Sequence, residues 1–216
     1  DYMADAPLYE DVPPADAFPK IRADEQNLRI ITAEAWEAIK QVNNVDPYLF
    51  CSGGIPSRLD RDGGRPVIRE LTPDRLRYEV ARAATWYSIK TTGEVLKAVP
   101  AKPPMYAIKD MLAARSFPLP RLVRIVEAPV FAPDGALQTK PGYHSKSETY
   151  LEPAKGVNIP NIPTNPTASD IEQARQLLCD ELLGEFPFVD KPDRAHAVAL
   201  LLLPFVRDLV PDPTPN

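Results

Sequence analysis

Prolines constrain the fold of this chain more than any other residue type. There are 26 of them among 216 residues, about twice the average share, and they occur in clusters. Pro7, Pro13, Pro14 and Pro19 predict an extended arm or linker over residues 1–27. The reason is that a residue without an N–H interrupts helices and suits an extended backbone.

A second proline cluster separates two parts of the chain. Pro153, Pro160, Pro163 and Pro166 predict that residues 153–168 form an extended crossing segment rather than a helix. The resulting predicted organisation is a mixed core over residues 28–152, a helical part over 169–210 that packs on this core, and a linker over 211–216.

The predicted core alternates between helical and strand patterns. TAEAWEAIKQV predicts a helix over residues 32–42 that Thr32 caps. Two Gly-Gly pairs within residues 48–71 predict a three-stranded meander, and Thr72 with Pro73 marks the start of another helix. The further predicted elements are strands near 86–90 and 95–99, a helix from Pro104 to Arg115, a long strand over 121–131, and a hairpin at the Pro-Asp-Gly turn that follows it.

The last part of the chain reads as two helices. Ser169 and Glu172 predict a capping box at the start of the first helix, and Gly184 its end. The second helix is expected to begin at Asp190 and to kink or end at Pro204. The predicted buried stripe of the first helix is Ile171, Ala174, Leu178 and Leu182.

The uncharged run over residues 195–206 could suggest a membrane anchor. Twelve uncharged residues that include a proline are too few to cross a bilayer, so the run predicts a buried helix and no membrane partner. The fold class that follows is α+β: small antiparallel strands and hairpins with interspersed helices, then a C-terminal helical part.

The composition and the first residues of the chain indicate in which cellular compartment the protein is expected. The chain is 44% hydrophobic and 25% charged, as is typical of a soluble globular protein with a real core. Its start, DYMADAPLYEDVPP, lacks the basic and apolar regions of a signal peptide. A cytoplasmic location is therefore expected, with Cys51 and Cys179 as buried, reduced thiols.

Familiar catalytic motifs do not occur in the sequence. It contains no P-loop, no dinucleotide-binding glycine pattern, no G-x-S-x-G and no H-E-x-x-H. The two cysteines and two histidines lack the spacing of a zinc site. His196 is predicted to be a core histidine of the apolar helix, and His144 an exposed loop residue. No catalytic residue and no cofactor is expected for this chain.

One acidic pair allows two interpretations. Asp60 and Asp62 would point to one side of an extended strand and could hold a divalent metal for nucleotidyl transfer. The simpler interpretation is that DRDGG is a hairpin turn, where Asp and Gly are favoured by backbone geometry. The turn is the favoured prediction, so no metal site is assigned.

Charge is distributed unevenly along the chain. Residues 56–125 carry 14 Lys and Arg against 7 Asp and Glu, a net charge of +7, whereas the segments before and after each carry −6. A phosphate-binding surface would explain this basic middle, and so would pairing with the acidic segments of the same chain. The candidate DNA-binding residues are Arg58, Arg61, Arg65 and Arg69 in the meander, and Arg75 and Arg82 on the helix that follows.

The order of several short motifs resembles a known arrangement. The motifs are Pro103-Pro104, Pro129-Val130, Asp134-Gly135, Pro141-Gly142-Tyr143 and Phe186-Pro187-Phe188. Their series, across roughly residues 48–210, is similar to the segment upstream of the ATPase in primase–helicase-like replication proteins of phages, plasmids and integrative elements. One departure is KSETYL at residues 146–151, where that family commonly has a glycine before the aromatic residue.

The resemblance implies an accessory domain of a helicase. Its partners would be single-stranded or forked DNA, a downstream ATPase domain of the same polypeptide, and further copies in a homo-oligomer. ATP and Mg²⁺ would belong to the ATPase, and a P-loop is expected soon after Asn216. Three hypotheses remain open at this point: a DNA-binding or loading module, a structural oligomerisation collar, and a primase- or polymerase-type nucleotidyltransferase that uses Asp60 and Asp62.

Overall fold

The computed structural model describes residues 18–92, 95–163 and 165–210. Within these residues the chain forms two compact units, which divide after Arg121; they are called unit 1 and unit 2. Helices are interspersed with four small sheets of two or three strands, so the predicted α+β class is confirmed. Most of the predicted arm over 1–27 and the predicted linker over 211–216 lie outside the described residues.

The described residues of unit 1 form two three-stranded sheets and three helices. In one sheet the order is β1–β5–β6, with β1 parallel to β5 and β6 antiparallel to it. The other sheet is the antiparallel meander β2–β3–β4, as predicted. The elements are β1 Lys20–Arg22, α1 Leu28–Asn43, β2 Leu49–Ser52, β3 Ile55–Asp62, β4 Arg65–Glu70, α2 Pro73–Ala83, β5 Thr85–Thr92, β6 Val95–Pro100 and α3 Met105–Leu112.

Helix α1 begins earlier than predicted. The side chain of Asn27 accepts a hydrogen bond from the Arg29 amide at 3.1 Å and caps the helix, because an N-cap oxygen satisfies an amide that has no partner within the helix. Thr32 lies inside the helix and donates its hydroxyl to the Leu28 carbonyl at 2.7 Å. The prediction that Thr32 caps this helix was therefore wrong.

The core of unit 1 lies between the three helices and the sheets. Thr72 caps α2 and Pro73 opens it, as predicted, because the fixed φ of proline suits the first helical position. Trp36 of α1 and Trp86 of β5 are both buried in this core. The large side chains around them are Ile21, Ile31, Ile39, Leu49, Leu71, Leu76, Val80, Ile108 and Met111.

Two-residue turns set the register of the meander. Gly63 and Gly64 have φ angles of 56° and 82° and connect Asp62 to its partner Arg65. Positive φ at both central residues is the geometry of a tight hairpin turn that matches the twist of the strands. The β3–β4 pair is called the first hairpin, and the β5–β6 pair the second hairpin.

In the part of unit 2 that the structure describes, five short strands form two small sheets. These are β7 Arg124–Val126, β8 Val130–Phe131, β9 Leu137–Gln138, β10 Gly142–His144 and β11 Thr149–Leu151. The predicted long strand over 121–131 was wrong, because β7 pairs with β11 while β8 pairs with β9 in a separate sheet. Pro129 lies between the two strands and has no N–H for a ladder.

The helices of unit 2 start close to the predicted positions. Helix α4, Ala168–Gln176, has a capping box formed by Thr167 and Asp170, two residues earlier than the predicted pair Ser169 and Glu172. A π-helical turn, Leu177–Leu182, continues it. Helix α5, Lys191–Val206, is capped by Asp190 as predicted and contains Pro204; the 3-10 turn Arg207–Leu209 follows.

The predicted burial of these helices was wrong. Neither α4 nor α5 has a buried residue, and Ile171 and Leu182 of the predicted stripe are 59% and 62% exposed. His196 is exposed rather than part of a core. Periodicity correctly gave the helices, but it does not reveal whether a partner element covers an apolar face.

Two further predictions of burial also need correction. Cys51 and Cys179 are free thiols, but both are half-buried rather than buried. His144 is not an exposed loop residue: it lies half-buried in β10, where its ring bonds to Ser147 at 2.9 Å.

Candidate nucleic-acid interface

The side chain of Arg58 forms ion pairs with two carboxylates of unit 1. Its guanidinium binds Asp60 through two hydrogen bonds of 2.7 and 3.0 Å, and its Nη1 donates to Glu79 Oε1 at 2.8 Å. Glu79 lies on α2 with a side chain only 4% exposed, and Tyr48 donates its hydroxyl to the other Glu79 oxygen at 3.0 Å. The hydrogen bond to Asp60 raises the pKa of Arg58, and burial raises the pKa of Tyr48.

This arrangement gives Arg58 a structural role. A buried carboxylate is costly unless a charge and hydrogen bonds compensate it, and Arg58 with Tyr48 supplies both to Glu79. Arg58 is thus a poor candidate for a phosphate contact, although it was among the six predicted arginines.

Arg69 also pairs with acids of the first hairpin. Its Nη2 lies 3.0 Å from Asp62 Oδ2, and its Nε lies 3.8 Å from Asp60 Oδ2. Asp62 opens the Gly63–Gly64 turn, as the turn interpretation predicted, whereas Asp60 lies within strand β3.

The same pairs weaken the interpretation of Asp60 and Asp62 as metal ligands. Arg58 and Arg69 already occupy carboxylate oxygens that a metal ion would need. Among the described residues, no group of three or more His, Cys, Asp or Glu side chains could hold a metal ion.

The arginines of the first hairpin do not form one row. Arg58 lies directly across from Arg69, and Arg65 across from Asp62, on one face of the hairpin. Arg61 pairs with Pro66 on the other face, because alternate strand residues point to opposite sides. Arg65, beside the turn, is exposed; Asp62 across from it forms its ion pair with Arg69, and no carboxylate in the described part of the chain forms an ion pair with Arg65.

Arg75 and Arg82 on α2 keep charges that no carboxylate neutralises in the described residues. Arg75 Nη1 donates to the carbonyl of Glu70 at 2.9 Å. Arg82 Nη1 donates to the carbonyl of Tyr78 at 3.1 Å, and its guanidinium lies 3.3 Å from the centre of the Tyr78 ring. Stacking on an aromatic ring holds a guanidinium in place and leaves its positive charge intact.

The second hairpin adds two cations that the sequence reasoning missed. Lys90 and Lys97 are direct partners in the β5–β6 register, and both are exposed. Neither strand contains an Asp or Glu, and like charges directly opposite each other are unfavourable. An anion bound between them would relieve this repulsion. In the run KTTGEVLK, Lys90 and Lys97 stand three residues before and four residues after Gly93. A hairpin turn assumed at this glycine would have predicted that the two lysines lie close together.

Several cations of unit 1 have charges that no carboxylate of the described residues matches, and the DNA-binding candidates are five of them. Three were predicted and two were not; they are called the unmatched cations: Arg65, Arg75, Arg82, Lys90 and Lys97. Whether they bind DNA stays a prediction.

Comparisons with known proteins gave no match to a family model, to a curated protein or to a solved structure. The resemblance to primase–helicase-like replication proteins therefore stays a prediction as well. Among helices of the described segments, none has both the length and the apolar character needed to cross a membrane.

Proposed function

We propose that unit 1 is a non-catalytic DNA-binding domain that contacts phosphates through the unmatched cations. The observation that carries the proposal is the contrast between two sets of basic residues. Arg58 and Arg69 are engaged by carboxylates, whereas the unmatched cations have carbonyl or aromatic partners, or no partner among the described residues.

Such a domain would bind DNA without strong preference for sequence. Lys and Arg contacts to phosphates position a protein on DNA but carry no base information by themselves. Phosphates release condensed counterions when they are neutralised, so the affinity should fall steeply as salt rises.

In the wider proposal, this chain belongs to a cytoplasmic replication protein of a mobile element. The ordered motifs support a position upstream of an ATPase, which would bind ATP and Mg²⁺ and act on single-stranded or forked DNA. The nucleotidyltransferase alternative has less support, because Asp60 and Asp62 are held by arginines.

We expect Lys90→Ala/Lys97→Ala to weaken DNA binding about tenfold at low salt, since two phosphate contacts are lost. The measurement is fluorescence anisotropy with labelled single-stranded, duplex and forked DNA. The matched control is Lys40→Ala/Arg175→Ala, which removes two exposed charges that pair with Glu37 and Glu172. Equal weakening in both variants would show that only net charge matters and would refute a site at the second hairpin.

A second candidate function is an oligomerisation collar, which the exposed apolar residues of α5 favour. Leu200 is 68% exposed, and Leu202 and Phe205 are 42% and 40% exposed. A helix that is apolar on most of its surface is usually buried against other elements. In the homo-oligomer that this candidate implies, copies of the chain would cover these residues.

The collar predicts that Leu200→Glu reduces the oligomer to a monomer, because a charge would enter an apolar interface. Sedimentation equilibrium of the wild type and of Leu200→Glu measures this directly. The exposed Glu181→Gln serves as a control on the neighbouring π-helical turn. A wild type that is monomeric at high protein concentration would exclude the collar.

A further inference from the structure

A chain of buried hydrogen bonds in unit 2 fixes the orientation of one histidine. Gln138 Nε2 donates to the Gly142 carbonyl at 2.9 Å, so its Oε1 must face Thr149. The Thr149 hydroxyl donates to that oxygen at 2.5 Å. Gln138 is 3% exposed and Thr149 is fully buried, so no solvent competes for these groups.

The donor and acceptor roles in these bonds also bear on which ring nitrogen of His144 carries the proton. Since the only hydroxyl hydrogen of Thr149 is used, Ser147 must donate in the 2.7 Å contact between the two hydroxyls. The Ser147 oxygen then accepts from His144 Nδ1 at 2.9 Å. The Ser147 amide N–H also points at Nδ1, at 3.4 Å; this contact needs Nδ1 as an acceptor, but it is longer and weaker than the 2.9 Å contact between Nδ1 and the Ser147 hydroxyl. The shorter contact therefore favours the neutral tautomer with the proton on Nδ1 and with Nε2 as the acceptor nitrogen.

His144 lines a cavity of about 420 Å³ on the surface of unit 2. This volume lies within the range of small-molecule sites. Thr139 and Lys140 line the same cavity, and within the described residues no carboxylate pairs with Lys140. The cavity is thus lined by one positive charge, by the hydroxyl-bearing side chains of Thr139 and Tyr143, and by the His144 ring, whose Nε2 is the acceptor nitrogen.

We propose that this cavity binds one nucleotide unit, with its phosphate on Lys140 and a sugar hydroxyl that donates to His144 Nε2. A phosphate needs a cation and hydroxyl donors, which Lys140 and Thr139 supply. A sugar hydroxyl needs an acceptor, which the orientation of His144 supplies. The choice of a nucleotide over other phosphorylated ligands rests on the proposed DNA-binding function. The unit bound is either a free nucleotide or the 5′-phosphorylated end of a DNA strand.

The test combines NMR of the histidine ring with ligand titration on the whole chain. Long-range ¹H–¹⁵N spectra of the free protein should show His144 protonated on Nδ1. Titration with deoxyadenosine monophosphate should shift the His144 signals at millimolar concentrations or below, whereas deoxyadenosine or inorganic phosphate alone should bind much more weakly. A 5′-phosphorylated oligonucleotide that shifts these signals, when its 5′-hydroxyl counterpart does not, would identify the strand end as the source.

Variants separate this site from the DNA-binding surface of unit 1. Lys140→Ala should weaken nucleotide binding about tenfold, and Lys146→Ala should leave it unchanged, since Lys146 pairs with Asp134 at 2.6 Å. Ser147→Ala should alter the tautomer signature of His144 and weaken binding. The proposal is overturned if the nucleotide does not shift His144, if Lys140→Ala binds as tightly as wild type, or if inorganic phosphate binds equally well.

Anisotropy on the same samples keeps the two proposals distinct. Lys140→Ala should keep the affinity of the wild type for internal DNA segments that lack a 5′-phosphate. Lys90→Ala/Lys97→Ala should keep the affinity for the nucleotide. Loss of both affinities in both variants would overturn a separate nucleotide site in unit 2.

Discussion

Replacing Arg58 with methionine should destabilise unit 1 by about 3 kcal/mol, because it leaves the buried Glu79 carboxylate without its cation. Methionine retains most of the aliphatic volume of the arginine stem, so the effect reports the charge rather than a cavity. Asp60 loses its two-bond partner as well. Urea unfolding followed by tryptophan fluorescence measures the loss, since both tryptophans, Trp36 and Trp86, are buried in unit 1.

Two further variants test the cause. Arg69→Met removes an exposed arginine from the same hairpin and should cost less than about 1 kcal/mol, because exposed ion pairs contribute little. Arg58→Met/Glu79→Leu should recover most of the stability, since no charge is then left buried; the Tyr48 hydroxyl loses its acceptor, so recovery is partial. Arg58→Met with the stability of wild type would contradict the structural role of Arg58.

The sequence predicted those elements whose signals are local. The Gly-Gly turns of the meander, the Thr72-Pro73 start of α2 and the Asp190 cap of α5 depend on residues within one turn of each other. A local signal also gave one wrong prediction. Thr32 suits an N-cap by residue type, but α1 already buries Ile31, and the residue that caps the helix is Asn27, four positions before Ile31.

The candidate site was harder to predict because it depends on distant pairs. Arg58 and Glu79 are 21 positions apart, and only the tertiary fold of unit 1 brings them together. A count of charges along the chain cannot distinguish Arg58, which compensates a buried acid, from Arg65, which is exposed. The pair Lys90 and Lys97 was missed because it depends on the β5–β6 register, which one residue of slip would change.

Removing four of the unmatched cations together should nearly abolish DNA binding. For Arg75→Ala/Arg82→Ala/Lys90→Ala/Lys97→Ala we expect a loss of affinity of about two orders of magnitude or more at low salt. The four side chains are exposed or half-buried, and none of them has a carboxylate partner in the described residues. The fold should therefore persist, and tryptophan fluorescence of the folded state provides the control.

The most direct test of the account is the salt dependence of DNA affinity. For about four phosphate contacts, the slope of log affinity against log salt should be about −3 to −4 for the wild type. It should weaken to about −1 for the quadruple variant, which keeps only Arg65 of the unmatched cations, and Lys40→Ala/Arg175→Ala should keep the slope of the wild type. A wild type that binds no DNA at low salt, or a quadruple variant with an unchanged slope, would contradict the claim that these cations form a DNA-binding surface.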